Sequence, residues 1–139
     1  MLSGMPMPLP DLDTAPFWEA CSRNELVIQR CGRCRRFRYP PGPMCPDCQS
    51  AEFQWVLSPG TGTVYSWIVV WHAVAVEVVD QVPYVVALVE IARGVRMIAN
   101  IVECDPSEIC AGMRVRVKFH HYSAGISLPV FTIEREDYQ

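Results

Sequence analysis

Most of the chain after Gly62 carries hydrophobic patterns that predict β-strands. Residues 114–121 give the clearest case, because Val115, Val117 and Phe119 alternate with basic side chains, as in a strand with one buried face. Four further β-branched runs are predicted as strands: Gly62 to Trp71, Tyr84 to Ala92, Met97 to Val102 and Leu128 to Ile133. The first two are expected to be largely buried.

The stretches between these strands indicate how they are connected. Residues 73–82 are predicted as a loop, and Asp105 to Glu108 as one helical turn before the fourth strand, ending near Gly112. Five strands with a helical turn in this position favour a small β-barrel, and an open sandwich is the alternative. The fold class is therefore mainly β.

The first third of the chain follows a different pattern. Residues 1–13 predict a loose arm, and Thr14 to Arg23 a short helix with Phe17, Trp18 and Cys21 on one apolar face. Two interpretations stay open for that helix: it packs on its own domain, or Phe17 and Trp18 dock on a partner protein.

Three short strands are predicted between the helix and the barrel. They run from Leu26 into Cys31, from Arg36 to Tyr39, and from Phe53 to Val56. Ser58-Pro-Gly60 is a turn and marks a boundary. The predicted organisation is an arm and helix over residues 1–24, a small unit over 25–57, and the barrel over 58–139.

Composition narrows the class of protein. The chain has 139 residues, 50% of them hydrophobic and 19% charged, with a net charge of −3. This is enough apolar sequence for a core, and the acidic balance argues against coating nucleic acid by bulk charge.

No run of about 20 apolar residues predicts a membrane span, and the N-terminus lacks a signal-peptide pattern. We therefore expect a cytoplasmic protein that does not enter a membrane.

Four of the seven cysteines form the strongest motif. Cys31 and Cys34 make one CxxC pair, Cys45 and Cys48 a second, and ten residues separate the pairs. Two such turns can surround one Zn²⁺ with four thiolates, as in a zinc ribbon. Because four cysteines leave no open coordination position, the predicted zinc is structural, and a redox role is disfavoured.

The other three cysteines and the histidines predict no catalytic site. Cys21, Cys104 and Cys110 are expected to be buried structural thiols. His72, His120 and His121 show neither metal-site spacing nor an obvious triad order, so structural roles are expected.

Two further groups leave alternatives open. Five arginines stand close together at positions 30, 33, 35, 36 and 38. They form either a solvated surface that offsets the zinc–thiolate charge, or a patch that binds phosphate of nucleic acid or of a nucleotide-type cofactor. Trp67 and Trp71 share one face of a strand, where they either stack on bases or belong to the core.

The order of these features resembles the DUF35 family, whose members carry a short helix, a rubredoxin-like zinc ribbon and an OB fold. The segments that carry the resemblance are Pro16-Phe17-Trp18-Glu19-Ala20, Cys31-Gly-Arg-Cys34, Tyr39-Pro-Pro-Gly-Pro43, Cys45-Pro-Asp-Cys48, Gly62-Thr-Val-Tyr-Ser66, Pro83 to Glu90, and Leu128-Pro-Val-Phe131. Together they span about residues 14 to 134. One departure is that Arg35 and Gln49 follow the second cysteine of each pair, where glycine is common in the family.

The resemblance implies an OB-fold barrel and a non-catalytic accessory subunit of an acyl-CoA-processing complex. Its partner would be a thiolase-like enzyme, an acyltransferase, thiolase or steroid side-chain aldolase, which itself holds most of the CoA thioester. Arg33, Arg35, Arg36, Phe17 and Trp18 are then candidates for contact with the partner or with CoA phosphates. The alternative is a zinc-ribbon and OB-fold module that binds single-stranded nucleic acid.

Overall fold

The computed structural model describes residues 6–122 and 125–135. The first five residues of the predicted arm, residues 123–124 and the last four residues lie outside this range. The elements in chain order are α1 (Ala15–Ser22), β1 (Val27–Cys31), β2 (Phe37–Arg38), β3 (Phe53–Leu57), β4 (Thr61–Val70), β5 (Tyr84–Ala92), β6 (Val95–Ile101), β7 (Arg114–His121) and β8 (Ser127–Ile133). Within the described residues, no helix combines the length and apolar character that crossing a membrane requires.

The short helix α1 packs inside the molecule. Thr14 is its N-cap and Pro16 lies in its first turn, where a missing backbone N–H costs nothing. Phe17 is only 1% exposed, and the helix contacts β1 on one side and β7 and β8 on the other. Of the two interpretations left open for the helix, Phe17 follows the first: it packs on its own chain and is not available to dock on a partner. The helix fills the junction between the small sheet and the barrel, and its apolar face is buried there.

The strands β1, β2 and β3 form a small antiparallel sheet in the order β2-β1-β3. The register places Gln29 opposite Arg38, and Val27 opposite Leu57. The side chains of Leu26 and Ile28 join the apolar core, so β1 is the strand that ties this sheet to the rest of the molecule. The sheet ends one turn before the barrel begins.

The remaining five strands close into a barrel in the order β4-β5-β6-β8-β7. Antiparallel pairing of β4 with β7 completes the ring, and β6 meets β8 in a short parallel contact at Ile101 and Phe131. The barrel interpretation is confirmed over the open sandwich. Its interior is filled by inward-facing residues that include Val64, Val89, Val115 and Phe131, each at most 2% exposed.

Two expectations about the first barrel strand and its connection are wrong. The strand β4 ends at Val70, and much of it is exposed: 62% of the surface of Ile68 is open. In a closed barrel, alternate residues point outward, so a continuous apolar run buries only half its side chains. The predicted loop also contains a 3₁₀ helix at Val76–Gln81.

A polar link complements the apolar junction between the helix and the barrel. The ring of His121, at the end of β7, contacts the Ser127 hydroxyl through Nδ1 at 2.6 Å. Through Nε2 it lies 2.8 Å from the side-chain oxygen of Asn24, just after α1. One imidazole thus joins the adjacent ends of β7 and β8 to the end of the helix, 97 residues away in sequence.

Candidate metal centre and arginine surface

The four predicted zinc ligands come together at one end of the small sheet. The strand β1 ends in Cys31, its turn supplies Cys34, and the loop between β2 and β3 supplies Cys45 and Cys48. All four Sγ atoms lie within 4.8 Å of one another. The Sγ–Sγ distance is 3.5 Å between Cys31 and Cys48, and 3.6 Å between Cys34 and Cys45.

These distances suit a single Zn²⁺ ion. Four bonds of ~2.3 Å in a tetrahedron give sulfur–sulfur edges of about 3.8 Å, whereas a disulfide requires about 2.05 Å. Cys31 and Cys45 are 1% and 2% exposed, so the ligands are shielded from solvent on the inner side. The chain therefore has one structural zinc site made of Cys31, Cys34, Cys45 and Cys48.

Backbone N–H groups prepare the cysteines for metal binding. The N–H of Cys34 donates to Sγ of Cys31 at 3.4 Å, and this bond is the main cause that lowers the pKa of Cys31 to about 6. The equivalent N–H of Cys48 lowers the pKa of Cys45. Since the thiolate is the form that binds metal, the first cysteine of each turn favours the ligand state. At Cys34 the N–H bond from Arg36 is outweighed by burial and the neighbouring thiols, which together raise the pKa of Cys34 to about 11.

The two residues that replace the usual glycines keep the turn geometry. Arg35 has a φ of 67° and Gln49 a φ of 63°, both in the left-handed region. Their N–H groups donate to the carbonyl oxygens of Cys31 and Cys45, at 3.1 and 2.9 Å. The departure from the family pattern thus leaves both turns intact, at a backbone strain of about 1–2 kcal/mol per residue.

The other cysteines differ in environment. Burial raises the pKa of Cys21 to about 12, and burial also raises the pKa of Cys104. Cys110 is exposed, so the expectation that it is buried is wrong. It follows the 3₁₀ helix at Pro106–Glu108, and Ile109 takes the buried position beside it.

The contacts of His121 resemble a serine–histidine–asparagine chain, which sequence order did not reveal. Ser127 is 3% exposed, so its hydroxyl is closed off from any substrate carbonyl. A nucleophile must reach its substrate, and the chain of contacts connects structural segments instead. We assign it a structural role.

The arginine cluster divides into internal and external members. Arg38 is 8% exposed; its Nε donates to Gln29 at 2.8 Å and its Nη2 to the Gly42 carbonyl at 3.1 Å. Arg30 lies over the Phe37 ring, 5.4 Å from its centroid. The exposed members are Arg33, Arg35 and Arg36, which we call the ribbon arginines.

A residue that sequence analysis missed faces this surface. Arg93, at the tip of the β5–β6 hairpin, lines a cleft of about 690 Å³ together with Arg36 and Asp47. Asp47 pairs with Arg36 at 3.5 Å. The only signal in the sequence was an Arg-Gly pair in a hairpin turn, and it gave no hint that the turn would meet the ribbon.

Trp18 is half-buried, with its ring packed edge-on against Phe17 at 5.0 Å.

A four-thiolate zinc ribbon that shares its core with a five-stranded OB barrel defines the class of this protein. Comparison with known families agrees in both halves: residues 18–54 match the ChsH2 rubredoxin-like zinc ribbon domain, and residues 55–120 match the ChsH2 C-terminal OB-fold domain. The chain belongs to the DUF35 family, as its motifs indicated.

Relatives agree with this assignment. A probable enoyl-CoA hydratase alpha subunit of Thermomonospora curvata is 42% identical over 91% of the chain, which spans only 39% of that relative's length. A DUF35 domain-containing scaffold protein of Methanocaldococcus jannaschii is 35% identical over 68% of this chain and 67% of its own. A solved structure described as the Ltp2-ChsH2(DUF35) aldolase superposes with a TM-score of 0.81 at 41% identity, covering 91% of this chain and 98% of that one.

Proposed function

We propose that the chain is a non-catalytic accessory subunit that docks on a thiolase-like enzyme and supports its assembly or its binding of a CoA thioester. One observation carries the proposal: the likeness at 41% identity to a chain solved as part of an Ltp2-ChsH2 aldolase, 98% of which is covered. The scaffold relative supports the same role. We place the protein in the cytoplasm, where its thiols stay reduced.

The site chemistry supports an accessory role. Four thiolates saturate the zinc, so the metal offers no position for a substrate or an activated water. The serine that contacts His121 is buried. Within residues 6–122 and 125–135, these are the arrangements that come nearest to catalytic machinery, and neither admits a substrate.

The ribbon arginines fit either of two roles in such a complex. Guanidinium groups donate paired hydrogen bonds to phosphate, and arginine is also enriched at protein interfaces. Arg36 and Arg93 line the same cleft, where two guanidinium groups beside the one carboxylate of Asp47 leave a net positive charge for an anionic group such as a CoA phosphate. Trp18, although half-buried, keeps an open edge for a partner, whereas Phe17 does not.

Binding to thiolase-like proteins tests the proposal. The tagged full chain is mixed in turn with each purified thiolase-like protein of the genome that encodes it, and complexes are detected by size-exclusion chromatography with light scattering. We expect a stable hetero-oligomer with at least one of them. If the wild-type chain binds none, the proposed function is wrong.

A pair of charge reversals then separates the two arginine roles. If Arg33 and Arg35 bind CoA phosphate, Arg33→Glu with Arg35→Glu leaves the complex intact but weakens CoA binding by about 1.5–3 kcal/mol per lost charged hydrogen bond. If they bind protein, the complex itself weakens. Arg23→Glu with Arg114→Glu is the control, because it changes the net charge equally at exposed positions outside the ribbon. Should only the control have an effect, the ribbon arginines have neither role.

A further inference from the structure

The barrel carries an uncovered apolar surface on the outside of its first three strands. Ile68 of β4 lies opposite Val86 of β5, and Leu88 of β5 lies opposite Ile98 of β6, all with side chains pointing away from the barrel interior. We call these four residues the apolar sheet face. They line a shallow groove of about 220 Å³, and no charged side chain contributes to its lining.

The outward side chains of this face are open to solvent. Ile68 is 62% and Ile98 69% exposed. The connection that follows β4 continues the surface, since Trp71 is 64% and Val76 79% exposed. Contiguous apolar surface of this kind on a folded protein marks an interaction site, because its contact with water is unfavourable.

Acidic residues outnumber basic ones around the face, where the one arginine on its three strands, Arg96 of β6, stands two positions from Ile98 and pairs with Glu90 at 3.9 Å. No lysine or arginine stands between Arg38 and Arg93, and all the charged residues in that interval are acidic: Asp47, Glu52, Glu77, Asp80 and Glu90. Two of them, Glu77 and Asp80, lie in the β4–β5 connection beside Val76. The surface is thus an aliphatic centre with an acidic border at the β4–β5 connection and a Glu90–Arg96 ion pair beyond Leu88 and Ile98.

We propose that the apolar sheet face is the surface on which the thiolase-like partner docks, and that the partner presents apolar side chains bordered by lysine or arginine. This inference rests on the proposed function and adds to it the location and chemistry of the contact. An aliphatic centre excludes water on docking, and an acidic border selects a basic counterpart and speeds association.

The same charges weigh against other occupants. A second copy of the chain paired through this face about a two-fold axis would bring two acidic borders together, and each copy would offer one arginine on the face, Arg96, which already pairs with Glu90. Single-stranded nucleic acid, which binds this side of many OB folds, needs several cations along its backbone, and β4, β5 and β6 provide only Arg96, which pairs with Glu90.

Substitutions on the face test the inference with the purified thiolase-like subunit that binds the wild-type chain. Ile68→Lys and Ile98→Lys place a charge in the aliphatic centre while leaving the core untouched. Leu57→Lys is a matched control, because Leu57 is also 62% exposed but lies on β3 of the ribbon. Zinc content and thermal midpoint are measured for every variant, and Ile98→Ser replaces any lysine variant that fails to fold.

We expect Ile68→Lys and Ile98→Lys each to weaken the complex about tenfold or more, and Leu57→Lys to bind as the wild type does. Glu77→Lys with Asp80→Lys should slow association and reduce its dependence on salt. In hydrogen exchange, residues 84–101 should gain protection in the complex.

Each contrary result has a distinct meaning. A wild-type complex that both lysine variants form equally well overturns the location of the contact and leaves the proposed function standing. A wild-type chain that binds no thiolase-like subunit overturns both. A dimer of the chain alone, detected by sedimentation and dissociated by Ile98→Lys, shows that a second copy occupies the face and overturns the partner assignment.

Discussion

The most specific chemistry of the chain lies in four sulfur atoms and in Arg35 and Gln49, the residues that directly follow the two cysteine pairs. Their spacing in the sequence was sufficient to predict both the ion and its closed coordination, because two-residue CxxC turns have few geometries. The left-handed φ of Arg35 and Gln49 was not predictable, since nothing in a side chain other than glycine announces a positive φ.

Removal of one zinc ligand should show how much the ion stabilises the ribbon. The wild-type chain purified without added zinc should contain about one equivalent of metal by mass spectrometry. In Cys45→Ser, three thiolates remain, so we expect less than one equivalent and a lower thermal midpoint. Cys110→Ser, at an exposed thiol outside the site, should keep its zinc. A metal-free wild type with a folded ribbon would contradict the assignment.

The strain at Gln49 predicts a stabilising substitution. Gln49→Gly relieves about 1–2 kcal/mol of left-handed strain in the folded chain. The glycine also increases the conformational entropy of the unfolded chain, which favours unfolding by about 0.5–1 kcal/mol. The free energy of unfolding should therefore rise by roughly 0.5–1 kcal/mol. Ala51→Gly is the control, because Ala51 has a negative φ and the change should destabilise. Denaturant titration of the zinc-loaded protein measures both. Equal losses of stability would show that the strain at Gln49 is absent.

At the scale of elements, the positions of the strands could be predicted from the sequence, but which of their side chains are buried, and against what, could not. The strand Arg114–His121 coincides with its prediction, because seven alternating positions leave little freedom in register. The side of α1 that is buried was also visible, but whether Phe17 meets a partner or its own barrel depends on packing that local periodicity does not encode. For the same reason, the outward-facing residues of β4 were expected to be buried, although much of their surface is exposed.

The His121 link between elements should contribute measurably to stability. His121→Ala removes contacts to Asn24 and Ser127 and leaves a buried hydroxyl without its partner, which should cost about 1–3 kcal/mol. His72→Ala, at an exposed position in the β4–β5 connection, should cost little. Urea unfolding followed by tryptophan fluorescence compares the two. Identical stabilities would show that the contacts contribute nothing in solution.

At the scale of the whole molecule, the closed zinc site and the buried Ser127 are the arrangements nearest to catalytic machinery among the described residues, and neither admits a substrate. We therefore expect the purified chain alone to show no turnover of acyl-CoA thioesters, measured as release of free CoA thiol. The thiolase-like partner, added separately, is the positive control. Robust turnover by the chain alone that is abolished by changing Cys104, Cys110 or His72 would contradict this expectation.

The apolar core runs without a break from Phe17 of the helix through Leu26 and Ile28 of the ribbon to Phe131 of the barrel. Cutting the chain in the turn near Gly60 would therefore expose a hydrophobic seam on both fragments instead of releasing two independent domains. A further consequence concerns cooperativity. Calorimetry should show one transition whose calorimetric and van't Hoff enthalpies agree, and stripping the zinc should lower that single transition as a whole. An ion bound at the ribbon would then also protect the barrel strands against proteolysis.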